Sequence, residues 1–309
     1  MSVTNFQAAY HVGSDSLEEY SAESTEEILA DPRGLLLCWE PPDPHATYIM
    51  GGDPSVGITG WSRATRADGD HKTDNSALEI FKVDGVGELQ YELDEHGVRV
   101  PSVDPITKRP KILYRDVQVA EFAAPCDSVE FARIANLMGR IYSGTADDQC
   151  EFIFESYPGP GLLSTQELLR LSYGNLWMWE RFADSVAEST TSIGWHSTRE
   201  SQKALWYRAR RHLLSRRAII RSRFLLDEYA NAEIDLEKMR ARASYGYHDD
   251  RFMAANLCFW GGHKWTYDPE RTEIPVLATP VLNHQTFAPV LGEDIPSWKD
   301  EARSFFDRD

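Results

Sequence analysis

The feature that most restricts the fold is a change of period near residue 125. From Tyr48 to Phe122 the apolar runs are short and bounded by turn residues, whereas from Asp127 onward runs with helical spacing alternate with short apolar strands. Tyr48-Ile49-Met50 reads as a strand leading into Gly51-Gly52-Asp53. Gly57-Ile58-Thr59-Gly60-Trp61-Ser62 reads as a second strand after a tight turn. Leu78 to Val83 and Ile112 to Phe122 supply further strands, and Asp104 to Pro110 reads as an exposed loop. A helix opens at Asp127-Ser128-Val129-Glu130 and runs to about Tyr142, with Phe131, Ile134, Ala135, Met138 and Ile141 at helical spacing. The strand Phe152-Ile153-Phe154 ends in Glu155 before the turn Pro158-Gly159-Pro160-Gly161, and residues 162–172 read as a helix. Ser197-Thr198-Arg199-Glu200 has capping-box form and opens a helix to about Leu214. Ala218-Ile219-Ile220 reads as a short strand and Phe224 to Ala230 as a helix. Asp249-Asp250 heads an apolar helix, Phe252 to Trp260, stopped by Gly261-Gly262. The pattern predicts an α/β fold, a central mixed sheet flanked by helices, in one domain over residues 45–265. An acidic arm, residues 1–44, ends in Pro41, Pro42 and Pro44, and an acidic tail spans residues 266–309.

Composition excludes several classes. Apolar residues make up 42% of the 309 and no apolar run is long enough to span a bilayer. The first twenty residues carry no basic segment followed by an apolar one, so no secretory signal is expected. Cys38, Cys126, Cys150 and Cys258 lack CxxC spacing, which argues against a zinc ribbon or a disulfide scaffold and fits a reducing compartment. The net charge of -17 argues, taken whole, against a non-specific nucleic-acid binder. Its distribution reverses that inference. Residues 1–32 hold seven acids and no Lys or Arg, residues 268–309 carry -5, and residues 199–223 carry +8 from eight Arg and Lys203 against Glu200 alone.

Three places put carboxylates at the ends of predicted elements, where open α/β sheets bind ligands. Asp53 follows two glycines that remove side-chain bulk, so a large ligand can approach the backbone; an Asp-Pro turn is the simpler account. Glu155 shares a strand face with Ile153 while Phe154 points the other way, and a solvated strand end is its simpler account. Asp249 and Asp250 stand where acids cap a helix, yet one aspartate suffices for capping and two adjacent ones repel unless a cation lies between them. Hard oxygen donors without a Cys/His cluster suit Mg²⁺ or Mn²⁺ better than zinc.

The wording and order of these motifs resemble the nuclease domain of bacteriophage large terminase proteins. Tyr48 to Gly57 is similar to that family's first acidic motif, and Phe154-Glu155-Ser156-Tyr157-Pro158-Gly159 to its second. Ile193-Gly194-Trp195-His196-Ser197-Thr198, with Lys203 beyond, is similar to the segment before its next helix. His248-Asp249-Asp250-Arg251-Phe252-Met253-Ala254-Ala255 is similar to its third motif. The resemblance covers roughly residues 35–265. It implies an RNase H-like fold and metal-dependent, two-ion endonucleolytic cutting of concatemeric double-stranded viral DNA during genome packaging. Asp53, Glu155, Asp249 and Asp250 become the metal ligands, with His248 beside them. Implied partners are double-stranded DNA, the small terminase subunit and the portal, in the host cytoplasm. Glu155 stands where some relatives have Asp. The family's packaging ATPase has no counterpart here, since no G-x-x-x-x-G-K-[ST] occurs, so a nuclease fragment or a split gene is expected.

On a helix from Ser197 to Leu214, Leu205, Ala209 and Leu213 form an apolar stripe. Lys203 and Arg210 project opposite it, with Arg208 and Arg211 on a flank, a surface suited to a DNA backbone. Trp177, Trp179, Trp195 and Trp206 read as core packing. Two other readings stay open at this point: another RNase H-like nuclease of the Holliday-junction resolvase or transposase type, and a non-catalytic docking module whose acids are caps.

Overall fold

The computed structural model describes residues 8–12, 17–19, 36–55, 75–146, 149–157, 159–181, 190–235, 240–243 and 248–261. The strand expected at residues 57–62, the acidic tail and Gly262 lie outside them. Three short strands come first: β1 (Ala8–Val12), β2 (Leu17–Glu19) and β3 (Leu36–Cys38). Leu36, Leu37 and Cys38 are buried, so the sheet begins before Pro44, where the sequence reading ends the arm. β4 (Tyr48–Asp53) and the long β5 (Ser76–Leu89) follow. A small hairpin, β6 (Tyr91–Leu93) with β7 (Arg99–Pro101), then leads to the equally long β8 (Ile112–Ala124).

From here helices alternate with strands, as the change of period predicts. Helix α1 (Ser128–Ile141) is capped by Asp127, whose carboxylate accepts from the N–H groups of Val129 and Glu130. β9 (Glu151–Tyr157) and α2 (Gly161–Arg170) come next, then the hairpin β10 (Met178–Arg181) with β11 (Thr190–Ile193), and β12 (Trp195–His196). Helix α3 (Arg199–Leu214) has its capping box one residue later than expected: Thr198 is the cap and Ser201, not Glu200, the reciprocal partner. β13 (Ala218–Ile219), α4 (Arg223–Ala230), the hairpin β14 (Ala232–Asp235) with β15 (Arg240–Ala243), and α5 (Asp250–Gly261) complete the described chain.

Among the described residues the main sheet has nine strands in the order β12-β9-β4-β5-β8-β3-β1-β2, with β13 also paired to β8. β5 is antiparallel to both β4 and β8, whereas β4, β9 and β12 are mutually parallel. Numbered by chain order, the central five strands run 5-4-1-2-3 with only the second reversed, the topology of an RNase H-like α/β fold.

Each face of this sheet has its own core. Met50, Leu78, Phe122, Phe152 and Phe154 pack with Phe131, Ile134 and Met138 of α1 and Leu168 of α2. Ile49, Phe81 and Ile153 pack on the other face with Leu205 and Ala209 of α3, Leu225 of α4 and Leu257 and Phe259 of α5. Burying each large apolar side chain of α5 contributes roughly 1.5–3 kcal/mol, which holds this helix flat on the sheet. Its close approach depends on Gly51, where a Cβ would stand 1.9 Å from the Ala254 carbonyl oxygen. Gly51 and Gly52 are therefore interior residues of a strand that runs on to Asp53. The space they leave is filled by α5 and by Phe131 and Phe152, and not by a ligand.

β5 and β8 also run well past the core. Between Lys82 and Val86 their register shifts, Asp84 adopts φ 50°, and its N–H donates to the buried Asp116 carboxylate at 3.0 Å. Beyond this bulge the two strands form an arm, with Leu89, Ile112 and Tyr114 each about half exposed and an Arg115–Glu88 ion pair of 2.6 Å.

Candidate active site

Strand alternation puts Asp53 on the same sheet face as Ile49 and Gly51, and Glu155 on the same face as Ile153. Because Gly52 pairs with Phe154 in parallel register, Asp53 and Glu155 fall side by side at the C-terminal ends of adjacent strands. Among the helices on that face, α5 lies against β4. Its start brings Asp249, whose carbonyl accepts the first-turn N–H of Met253 at 2.9 Å, and Asp250 toward the same end.

The carboxylates meet at a cleft of about 200 Å³ lined by Asp53, Glu155 and Asp249. Asp250 is buried, with Oδ2 accepting the Asn75 N–H at 3.3 Å and lying 3.4 Å from Nδ1 of His248. Burial first, then the charges of Glu155, Asp250 and Asp249, push the Asp53 carboxyl well above the ordinary range, and it shares a hydrogen bond with Glu155. Four acids from three separated segments thus press on one another. Among the described residues no three His, Cys, Asp or Glu side chains are already drawn into a ligand cluster. The donor set nevertheless fits a hard divalent cation: it is all oxygen, and a cation relieves the mutual repulsion of these acids.

The other expected site residues divide. His248 takes its place beside Asp250. Lys203 and Arg210 are exposed on α3, the helix that forms one wall of the cleft. Arg208 is instead partly covered, its guanidinium 4.4 Å from the Trp260 ring centroid, and Arg211 is half-buried. Trp177 and Trp195 are core residues, and the side chain of Trp179 lies outside the described residues.

Sequence reasoning missed the rest of the wall. Gln202 and Trp206 from α3 and Met253 and Asn256 from α5 line the cleft. Trp206, expected in the core, is half-buried, with its ring 5.8 Å from that of Phe252. A signal was present: Asp249, Met253 and Asn256 follow i, i+4, i+7 spacing, so one helix face carries all three.

An RNase H-like sheet with carboxylates at its first and fourth strand ends, and more at the start of a helix on the same face, defines an α/β protein with an acidic cleft. Its structure is similar to the crystal structure of the large terminase nuclease from the thermophilic phage G20c. The TM-score is 0.43 and the identity 12%, covering 74% of this chain and 90% of that one. The same nuclease with bound cobalt gives a TM-score of 0.45 and 13% identity, covering 74% and 89%. No protein-family model and no curated protein matches the chain.

Proposed function

We propose that this chain is a divalent-cation-dependent DNA endonuclease of the large terminase type, cutting concatemeric double-stranded viral DNA for packaging. The observation that carries the reading is the convergence of Asp53, Glu155 and Asp249 on one cleft, with the buried Asp250 charge acting on Asp53 beside it, from segments about a hundred residues apart. Asp53, Glu155 and the Asp249–Asp250 pair would hold Mg²⁺ or Mn²⁺, two ions on this reading. Such ions lower the pKa of water and stabilise a departing oxygen in phosphodiester hydrolysis. The chain's own contribution is positional. β4 and β9 fix two carboxylates in register, α5 fixes two more, and the apolar wall of Leu205, Phe252 and Met253 limits water around them. Lys203 and Arg210, exposed on α3, would supply cations for phosphates that carry no sequence information, so recognition follows DNA shape. The packaging ATPase, the small terminase subunit and the portal are the partners of this reading, in the host cytoplasm.

Plasmid nicking with Mn²⁺ tests it. Wild type should nick and Asp53→Asn should lose at least ~100-fold in rate, the scale of losing a group that acts on the transition state. A folded Asp53→Asn variant that nicks at the wild-type rate removes the metal role. A marked preference for four-way junctions over linear duplex moves the assignment to a resolvase.

A further inference from the structure

A second set of ionisable side chains lies behind the acidic cleft, on the far side of the α5 start. Arg251 follows Asp250, and its side chain is only 19% exposed. Its Nε donates to Oε1 of Glu121 on β8 at 3.0 Å, its Nη1 donates to Oε1 of Glu228 on α4 at 3.1 Å, and the guanidinium sits 5.2 Å from the Phe224 ring centroid. Glu228 does two things at once, because its Oε2 also accepts the Phe252 N–H of the first turn of α5 at 2.9 Å. The opposite end of α4 is tied to β8 as well: Oε1 of Gln118 accepts the N–H groups of Arg221 and Ser222, both at 2.8 Å. The Gln118 amide donates to Glu79 at 2.7 Å and to Glu121 at 3.4 Å. A closed circuit of hydrogen bonds therefore runs from β8 through α4 to the start of α5 and back.

The cleft explains what this circuit resists. Asp249 and Asp250 face Asp53 and Glu155, and like charges push the α5 start away from the strand ends. Arg251 pulls in the other direction, held from both the sheet and α4. We propose that Arg251 and Glu228 are positioning residues that hold the Asp249–Asp250 pair against this repulsion, beside the strand ends that carry Asp53 and Glu155. The inference rests on the nuclease reading and adds two residues to it. It also links the metal-binding end of α5 to α4, which follows the basic stretch of the chain.

Calorimetric Mn²⁺ titration with parallel nicking assays, on wild type, Arg251→Lys and Glu228→Gln, tests it. Lysine keeps the charge and cannot present a two-pronged fork; glutamine keeps an acceptor for the Phe252 N–H and loses the charge opposite Arg251. Both variants should raise the Mn²⁺ dissociation constant and the half-saturating Mn²⁺ for nicking by about tenfold, the usual scale for residues that orient ligands. The rate at saturating Mn²⁺ should recover toward wild type, which a merely structural defect does not allow. Glu88→Gln, on the arm, should leave both quantities unchanged. Where either variant fails to fold by circular dichroism, Glu121→Gln removes the same anchor from the strand side. Mn²⁺ affinities equal to wild type overturn the inference and leave the nuclease reading standing. A wild type that neither binds Mn²⁺ nor nicks DNA overturns both.

Discussion

Asp53 and Glu155 stand beside each other at the ends of two parallel strands and share a hydrogen bond, and burial with the Glu155 charge pushes the Asp53 carboxyl well above the ordinary range. The pair is poorly suited to water-filled isolation and well suited to a cation.

Glu155→Gln removes one of the charges that press on Asp53. Without metal the variant should melt a few degrees higher than wild type, since relief of about 1 kcal/mol raises the midpoint of a domain this size by ~2–4 °C. Added Mn²⁺ should stabilise wild type and not the variant, because only a ligand bound to the folded state shifts its equilibrium. Thermal melts with Mn²⁺ and with EDTA decide it; equal metal-induced shifts would exclude Glu155 as a ligand.

The exposed cations of α3 should show themselves in salt dependence. Lys203→Ala with Arg210→Ala should lower the slope of log affinity against log salt by about 2, near 0.9 for each phosphate no longer neutralised. Arg208→Ala should instead cost stability, since that guanidinium packs on Trp260. Filter binding of a linear duplex across a salt series, with melts alongside, separates the two kinds of arginine.

Burial pushes the Glu228 carboxyl up to about 7, against the lowering effect of Arg251. The folded state thus binds this proton more tightly than the unfolded chain. Its contribution to stability is full below about pH 4.5 and is lost as pH rises through 7, by at most about 3 kcal/mol. Chemical denaturation of wild type between pH 5 and 8 should fall more steeply than that of Glu228→Gln. Parallel curves would show that Glu228 does not titrate in this range.

Gly51→Ala places a methyl group 1.9 Å from the Ala254 carbonyl oxygen, a backbone atom that cannot swing aside. The helix must shift, at a cost of about 1–3 kcal/mol, and it carries the Asp249–Asp250 pair with it. Nicking should suffer more than stability does. Gly97→Ala, with nothing within 4 Å of the added carbon but a positive φ, serves as the comparison: it should cost stability alone.

How much of this is legible in the sequence follows from how local each signal is. The helices α1 and α3 and the carboxylates at the end of β9 and the start of α5 announce themselves through spacing and caps within a few residues. Asp53 is harder. Gly51-Gly52 reads locally as room for a ligand's approach, and only the packing of α5, far along the chain, shows why a strand needs glycine there. The circuit behind the cleft is invisible for the same reason. Glu79, Gln118 and Glu121 look like the solvent side of strands, yet all three are buried once α4 and α5 cover that face. Size alone assigns Trp206 to the core, although its helix position points it into the cleft.

The bulge at Asp84 divides β5 and β8 into halves with different fates. On the near side both strands are walled by two cores; on the far side they carry half-exposed side chains and one surface ion pair. Backbone amides from Val117 to Phe122 should exchange with deuterated solvent only through global opening, and those from Val86 to Tyr114 through small local fluctuations. The register slip at Asp84 thus marks where one cooperative unit stops and a loosely attached one begins, and a protease should find the second long before the first.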